Sequence, residues 1–128
     1  MEILQKLLKL ERNLEVLEEI KDELTELDIK KKWEIRYGLF ESIQIVIDTS
    51  CKVVARYNLA KPQNYKECIL ALGDKGYLTK ELAKKLAQMV GFRNILIHEY
   101  CEVDREKLLE YLSHLDDFKE FIKAMKEH

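Results

Sequence analysis

The chain is short of chain breakers: its 128 residues include four glycines and one proline, too little turn material for a protein of many short strands. No window approaches the roughly 18 uninterrupted apolar residues that a spanning helix needs. The N-terminus, Met1-Glu2-Ile3-Leu4-Gln5-Lys6, is amphipathic rather than a charged stub followed by an apolar block, so no cleaved export signal is expected. A cytoplasmic protein with no membrane association is expected. The three cysteines, Cys51, Cys68 and Cys101, are odd in number and far apart, with no Cys-x-x-Cys pair. Without the spacing of metal or redox sites they are expected to be buried, reduced thiols. Excess charge is lacking too. Lys and Arg number 22 against 24 Asp and Glu, a formal charge of -2, so no global field draws in a polyanion and any contact with one must use a local patch.

What is present suits helices. The chain is 47% hydrophobic and 36% charged, enough apolar material for one core, and Leu, Lys, Glu and Ile dominate. The expectation is a single all-α domain over 1–128, an up-and-down bundle of about five helices. Lys and Glu richness with few Asn and Gln leans towards a thermophilic source. Ile3, Leu7, Leu10, Leu14, Leu17, Leu24 and Leu27 keep a three-four spacing, which predicts a first helix from Glu2 to about Leu27. Asp28 is placed to cap a second, from about Ile29 to Tyr57, with Trp33, Tyr37, Phe40, Ile43, Ile47 and Val54 facing inward. Lys61-Pro62-Gln63-Asn64 breaks the chain. Asn64 and Glu67 then have capping-box spacing for a short third helix ending near Gly73. Thr79 should cap a fourth running towards His98, and Asp104 a last one along Leu108, Leu112, Leu115, Phe118 and Ile122.

One stretch rises above packing: Gly91-Phe92-Arg93-Asn94-Ile95-Leu96-Ile97-His98-Glu99-Tyr100. Asn94 and His98 share a helical face, whereas Arg93 and His98 are offset by about 140° on a straight helix. Either the helix ends or distorts near His98, or two protomers each supply both residues to a shared cleft, which implies a dimer. Such a pair can cleave RNA without metal. A neutral imidazole takes the proton of the ribose 2′-hydroxyl, Arg93 stabilises the charge developing on phosphate, and Asn94, one turn before His98, can set the imidazole tautomer. From chemistry alone, however, an Arg and a His near a helix end are most often surface residues that offset the helix dipole.

Arg-Asn, three apolar residues, His, any residue, Tyr resembles the hallmark of the HepT-like family of the HEPN superfamily. The resemblance runs from about Trp33 to Phe121, through Arg36-Tyr37-Gly38-Leu39-Phe40-Glu41, the Ile47-Asp48 pair, Lys61-Pro62-Gln63-Asn64-Tyr65 and Ala71-Leu72-Gly73-Asp74-Lys75-Gly76-Tyr77-Leu78. It implies a helical bundle forming a two-fold homodimer, ribonuclease activity from Arg93 and His98, and a neighbouring minimal nucleotidyltransferase antitoxin that adds AMP to Tyr100. One departure is Lys52, where the family's second helix often carries His.

Other candidates carry less. Glu41, Asp48 and Glu102 lack metal-ligand spacing, so neither a metal site nor a cofactor is expected. Lys30-Lys31-Lys32 and Lys84-Lys85 can guide an RNA backbone, but such runs are usually a solvated face. His114 and His128 lack partners in sequence. The rival function is a non-catalytic subunit that binds or presents a substrate to the nucleotidyltransferase.

Overall fold

The computed structural model describes residues 2–98 and 105–128, with His98 described by its backbone alone. The described residues form six helices and no strand: α1 (Glu2–Asp22), α2 (Ile29–Arg56), α3 (Tyr65–Asp74), α4 (Lys80–His98), α5 (Arg105–Leu112) and α6 (Leu115–Glu127). The long, apolar α2 is the hub, packing against each of the other five. Its buried stripe, Ile35, Leu39, Ile43, Val46, Ile47, Val53 and Val54, meets Leu7, Leu10, Leu14 and Leu17 of α1, Leu72 of α3, Leu86 of α4 and Phe118 and Phe121 of α6 in one contiguous core.

Cross-helix polar pairs give the directions. Glu2 pairs with Lys52 and Lys6 with Asp48, so the partner number falls as the α1 number rises, and α1 and α2 are antiparallel. Glu11 with Lys126 and Glu18 with Lys119 make the same statement for α1 and α6. Arg36 with Leu96 and Gln44 with Arg93 make it for α2 and α4. These neighbours alternate up and down as expected.

The caps fall where the side chains put them. Asp28 accepts from the Lys31 N–H at 2.8 Å and Asn64 from the Glu67 N–H at 3.0 Å. The Thr79 hydroxyl accepts from the Leu82 N–H at 3.1 Å. Glu67 completes a variant of the capping box, accepting from the Gln63 N–H at 2.8 Å rather than from that of Asn64.

Four expectations need correction. The first helix stops at Asp22 rather than near Leu27, because the chain must reverse before Asp28, which is extended as a cap requires. Leu27 packs on the core from this connection. Trp33 and Tyr37 do not face inward but are 70% and 63% exposed. The inward stripe at this end passes through Ile35 and Leu39, on the other side of the helix. The last helix is broken in two. Ser113 Oγ donates to the Glu110 carbonyl, and the Ser113 and His114 N–H groups bond back to Leu109 and Tyr111, a side-chain and backbone closure that ends α5. Buried Leu112 and Leu115 carry the apolar stripe across the break. Finally, Cys51 of α2 and Cys68 of α3 are not free thiols but a disulfide, with their Cα atoms 5.0 Å apart. Packing of α3 against α2 brings together what spacing in sequence held apart. Cys101 and the expected cap Asp104 lie outside the described residues.

Candidate active site

Two helices build the site. α4 starts at the Thr79 cap and buries Leu82, Ala83, Leu86, Met89 and Val90. In its last turns Phe92 and Leu96 continue inward, while Arg93, Asn94, Ile95 and Ile97 are left on the outer side. Period 3.6 therefore holds Arg93 between the core and solvent. Phe92 is fixed in turn by stacking on Tyr111 of α5, with ring centroids 4.1 Å apart and planes 8° from parallel.

The Arg93 guanidinium is held on several sides. Its Nε–H donates to Gln44 Oε1 of α2 at 2.7 Å, and Nη1 donates to Asn94 Oδ1 at 2.9 Å. Its Cζ lies 5.8 Å from the Phe40 ring centroid and 5.5 Å from that of Tyr65. A guanidinium flanked by aromatic rings and bonded through both Nε and Nη1 has lost most of its rotamer freedom before any ligand arrives, which favours planar recognition of phosphate oxygens. Beside it, Arg36 Nη2 donates to the Leu96 carbonyl at 3.0 Å. This cation satisfies a carbonyl in the last described turn of α4 and opposes the negative end of its dipole.

Arg93 and Asn94 are thus brought together, on α4 and against α2. Asn94 gives its amide oxygen to Arg93, a partner that the motif alone did not suggest. The His98 backbone ends the described part of α4, five residues from Arg93, so on regular helical geometry the offset of about 140° persists. The His98 side chain and Tyr100 lie outside the described residues. Gln44 is the residue that sequence reasoning missed. Its signal was faint: Gln44 and Asp48 are polar positions one turn apart in the otherwise apolar run of α2.

Several of the other candidates have partners within the fold. Glu41 accepts from Asn13 and Tyr37 at 2.8 and 2.7 Å and lies 3.3 Å from Lys9 Nζ. Burial pushes its pKa up, but these hydrogen bonds and the lysine outweigh that and hold it below the ordinary carboxylate value. The same contact raises the Tyr37 pKa, through the hydrogen bond to Glu41 and its charge. Asp48 pairs with Gln44 and Lys6, and Glu102 lies outside the described residues. Among the described residues no group of His, Cys, Asp or Glu has metal-holding geometry. Lys31 pairs with Asp28 and Lys85 with Glu81. Lys52, the family departure, bonds Glu2 on the outer side of α1 and α2. His114 lies 3.8 Å from Asp117, and His128 packs on Tyr77.

Residues 4–125 match the family described as ribonuclease HepT-like. The chain belongs to the HepT-like ribonuclease family. A protein of Archaeoglobus fulgidus described as a putative RNase is 33% identical over 104 residues, 77% of this chain and 78% of that one. The mRNA nuclease HepT of Shewanella oneidensis is 31% identical over 81 residues, 62% of this chain. That match spans 61% of the Shewanella protein's length. A solved structure of a tri-AMPylated Shewanella oneidensis HEPN toxin in complex with MNT antitoxin superposes with a TM-score of 0.91 at 23% identity, covering 98% of this chain and 97% of that one. That likeness establishes the HEPN fold. No described helix is long and apolar enough to cross a membrane.

Proposed function

We propose that this HepT-like chain is the toxin of a toxin and antitoxin pair, a metal-independent endoribonuclease whose site combines Arg93, His98 and Asn94 at a homodimer cleft. The observation that carries the reading is the guanidinium of Arg93, fixed by Gln44, Asn94, Phe40 and Tyr65 in the motif where His98 follows. In the reaction, His98 takes the proton of a ribose 2′-hydroxyl. O2′ bonds to the adjacent phosphorus, the bond from phosphorus to O5′ breaks, and the leaving oxygen takes a proton from solvent. The products are a 2′,3′-cyclic phosphate and a 5′-hydroxyl. Arg93 stabilises the charge on the phosphoryl oxygens, an effect commonly worth about 2.7–4 kcal/mol for one such donor.

The dimer is supported by the surface beside the site. Ile29, Trp33 and Tyr37 form an i, i+4 stripe, all more than 60% exposed. Next to it, Trp33, Arg36, Tyr37, Phe40, Leu96 and Ile97 line a cavity of about 310 Å³. A contiguous apolar face of this kind suits an interface, and in the proposed two-fold dimer a second copy seated there would bring its own Arg93 and His98 towards the first pair. Control by AMP addition at Tyr100 from a nucleotidyltransferase partner is supported by the AMPylated Shewanella toxin and its antitoxin. The same reading puts the protein in the cytoplasm, with its RNA and ATP. The Cys51–Cys68 bridge fits that compartment in thermophiles, whose intracellular proteins retain disulfides.

The test is cleavage of a defined RNA in chelator by the wild type, Arg93→Ala and His98→Ala, all shown folded by circular dichroism. Expected are cyclic phosphate ends from the wild type and at least a hundredfold loss in each variant, the size that removal of one such donor produces. No cleavage by the wild type, or full activity in His98→Ala, overturns the proposal in favour of a non-catalytic partner subunit.

A further inference from the structure

We infer that Gln44, oriented by Asp48, is the positioning residue of Arg93. The inference deepens the proposed ribonuclease and rests on it. Gln44 lies on α2, 49 positions from Arg93, and joins two groups of opposite hydrogen-bonding character: its Oε1 accepts from Arg93 Nε at 2.7 Å, and its Nε2 donates to Asp48 Oδ1 at 2.8 Å. A guanidinium only donates and a carboxylate only accepts, so one orientation of the Gln44 amide satisfies both, and flipping it breaks both bonds. Asp48 is anchored in its turn, its Oδ2 lying 3.7 Å from Lys6 Nζ of α1.

The chain of hydrogen bonds therefore runs from Asp48 through Gln44 of α2 to α4 and ends on Nε of Arg93, with the Lys6 ion pair of α1 behind it. Holding Nε fixes the azimuth of the guanidinium plane about the side-chain axis, while the flanking Phe40 and Tyr65 rings hold it in place. A glutamate at 44 could accept from Arg93 but would face Asp48 as a like charge. A leucine or methionine would fit the half-buried position and leave Nε–H unmet. Only an uncharged group that accepts at one end and donates at the other serves here. Gln44 reaches no further than Arg93 in this chain of bonds, so its effect on catalysis passes through the guanidinium.

The experiment compares wild type, Gln44→Leu, Asp48→Leu, Asp48→Asn and Arg93→Lys, with Gln44→Leu also made in the Arg93→Lys background. Cleavage of a short RNA gives kcat and KM, and the Arg93 Nε–H resonance gives its exchange rate in the RNA-free protein. Misplaced catalytic groups cost on the order of a hundredfold. Gln44→Leu is expected to lose about ten- to a hundredfold in kcat with KM within threefold, and to lose protection of Nε–H. Asp48→Leu should follow it. Asp48→Asn still offers Gln44 an acceptor and should stay within about threefold of wild type. In Arg93→Lys, which has no Nε–H, adding Gln44→Leu should change nothing. Wild-type kcat and unchanged Nε–H exchange in Gln44→Leu would overturn the inference while leaving the ribonuclease reading standing, as would losses that multiply in the double variant. If the wild type cleaves no RNA, the ribonuclease reading fails. The Nε–H exchange in Gln44→Leu then decides the positioning by itself.

Discussion

Adding one methyl group at Gly73 should loosen the joint between α3 and α4, and with it the setting of Arg93. A Cβ built at Gly73 falls 2.7 Å from the Ala83 Cβ, with Lys80 Cα at 3.7 Å and Thr79 O at 3.8 Å behind it. Carbon atoms pack at about 3.5–4.0 Å. The close neighbour is an alanine, which has no rotamer to change, so the two helices must separate. Overpacking of this kind costs about 1–3 kcal/mol, and replacing a helical glycine by alanine returns about 0.5–1 kcal/mol. At the middle of both ranges a net loss of about 1.3 kcal/mol remains. At about 2.1 cal/mol/K of unfolding entropy per residue, the 128 residues turn this into a Tm fall of about 5 °C. Gly91 is the internal control, since a Cβ there meets nothing within 4 Å, and Gly91→Ala should gain about 0.5–1 kcal/mol. Gly38 falls between the two, because its clash at 2.8 Å is with a Leu17 methyl that can turn away. Thermal unfolding followed by far-ultraviolet circular dichroism ranks the three. Gly73→Ala melting at or above the wild type would refute the reasoning, because the close approach would then carry no energetic consequence.

Reduction of the Cys51–Cys68 bridge releases residues separated by 17 positions, worth about 3 kcal/mol by loop-closure entropy. The expected Tm loss is about 10 °C by calorimetry with reductant, and the three cysteines less the bridged pair leave one titratable thiol in the denatured, unreduced chain. Glu41 has a depressed folded-state pKa, so its stabilisation is present above the ordinary value of 4.5 and is lost as pH falls through the folded value. Urea midpoints should accordingly show the gap between wild type and Glu41→Gln narrowing from about pH 6 to about pH 3, and a gap that widens on acidification would reverse that sign. Co-expression with a cognate nucleotidyltransferase should add AMP mass to the protein and silence RNA cleavage, while Tyr100→Phe should escape the addition and still cut. Persistence of the mass shift in the Phe variant would move the acceptor elsewhere.

Helix positions were largely legible in the sequence because each signal is local. Asp28, Asn64 and Thr79 cap through bonds to N–H groups three residues on, and the three-four apolar spacing needs no tertiary knowledge. The errors came where tertiary context decides. Trp33 and Tyr37 look like core residues by type, but α2 leaves them on its open side. The Cys51–Cys68 pairing depends on two helices lying side by side, which a spacing of 17 residues does not announce. At the site, Arg93 and Asn94 were visible as a motif. Gln44 was not, because its partner is 49 residues away and glutamine is unremarkable on a helix until its neighbour is known.

Trp33 is the chain's single tryptophan, and its 70% exposure on the apolar face beside Arg36 and Ile97 makes it a spectroscopic reporter that needs no label. An indole in water emits to the red and is quenched readily by dissolved ions, whereas one covered by another surface shifts to the blue and is shielded. With no second tryptophan to contribute background, the emission maximum reads the occupancy of that one face. Dilution, addition of a partner and addition of RNA can then be followed on one fluorescence scale.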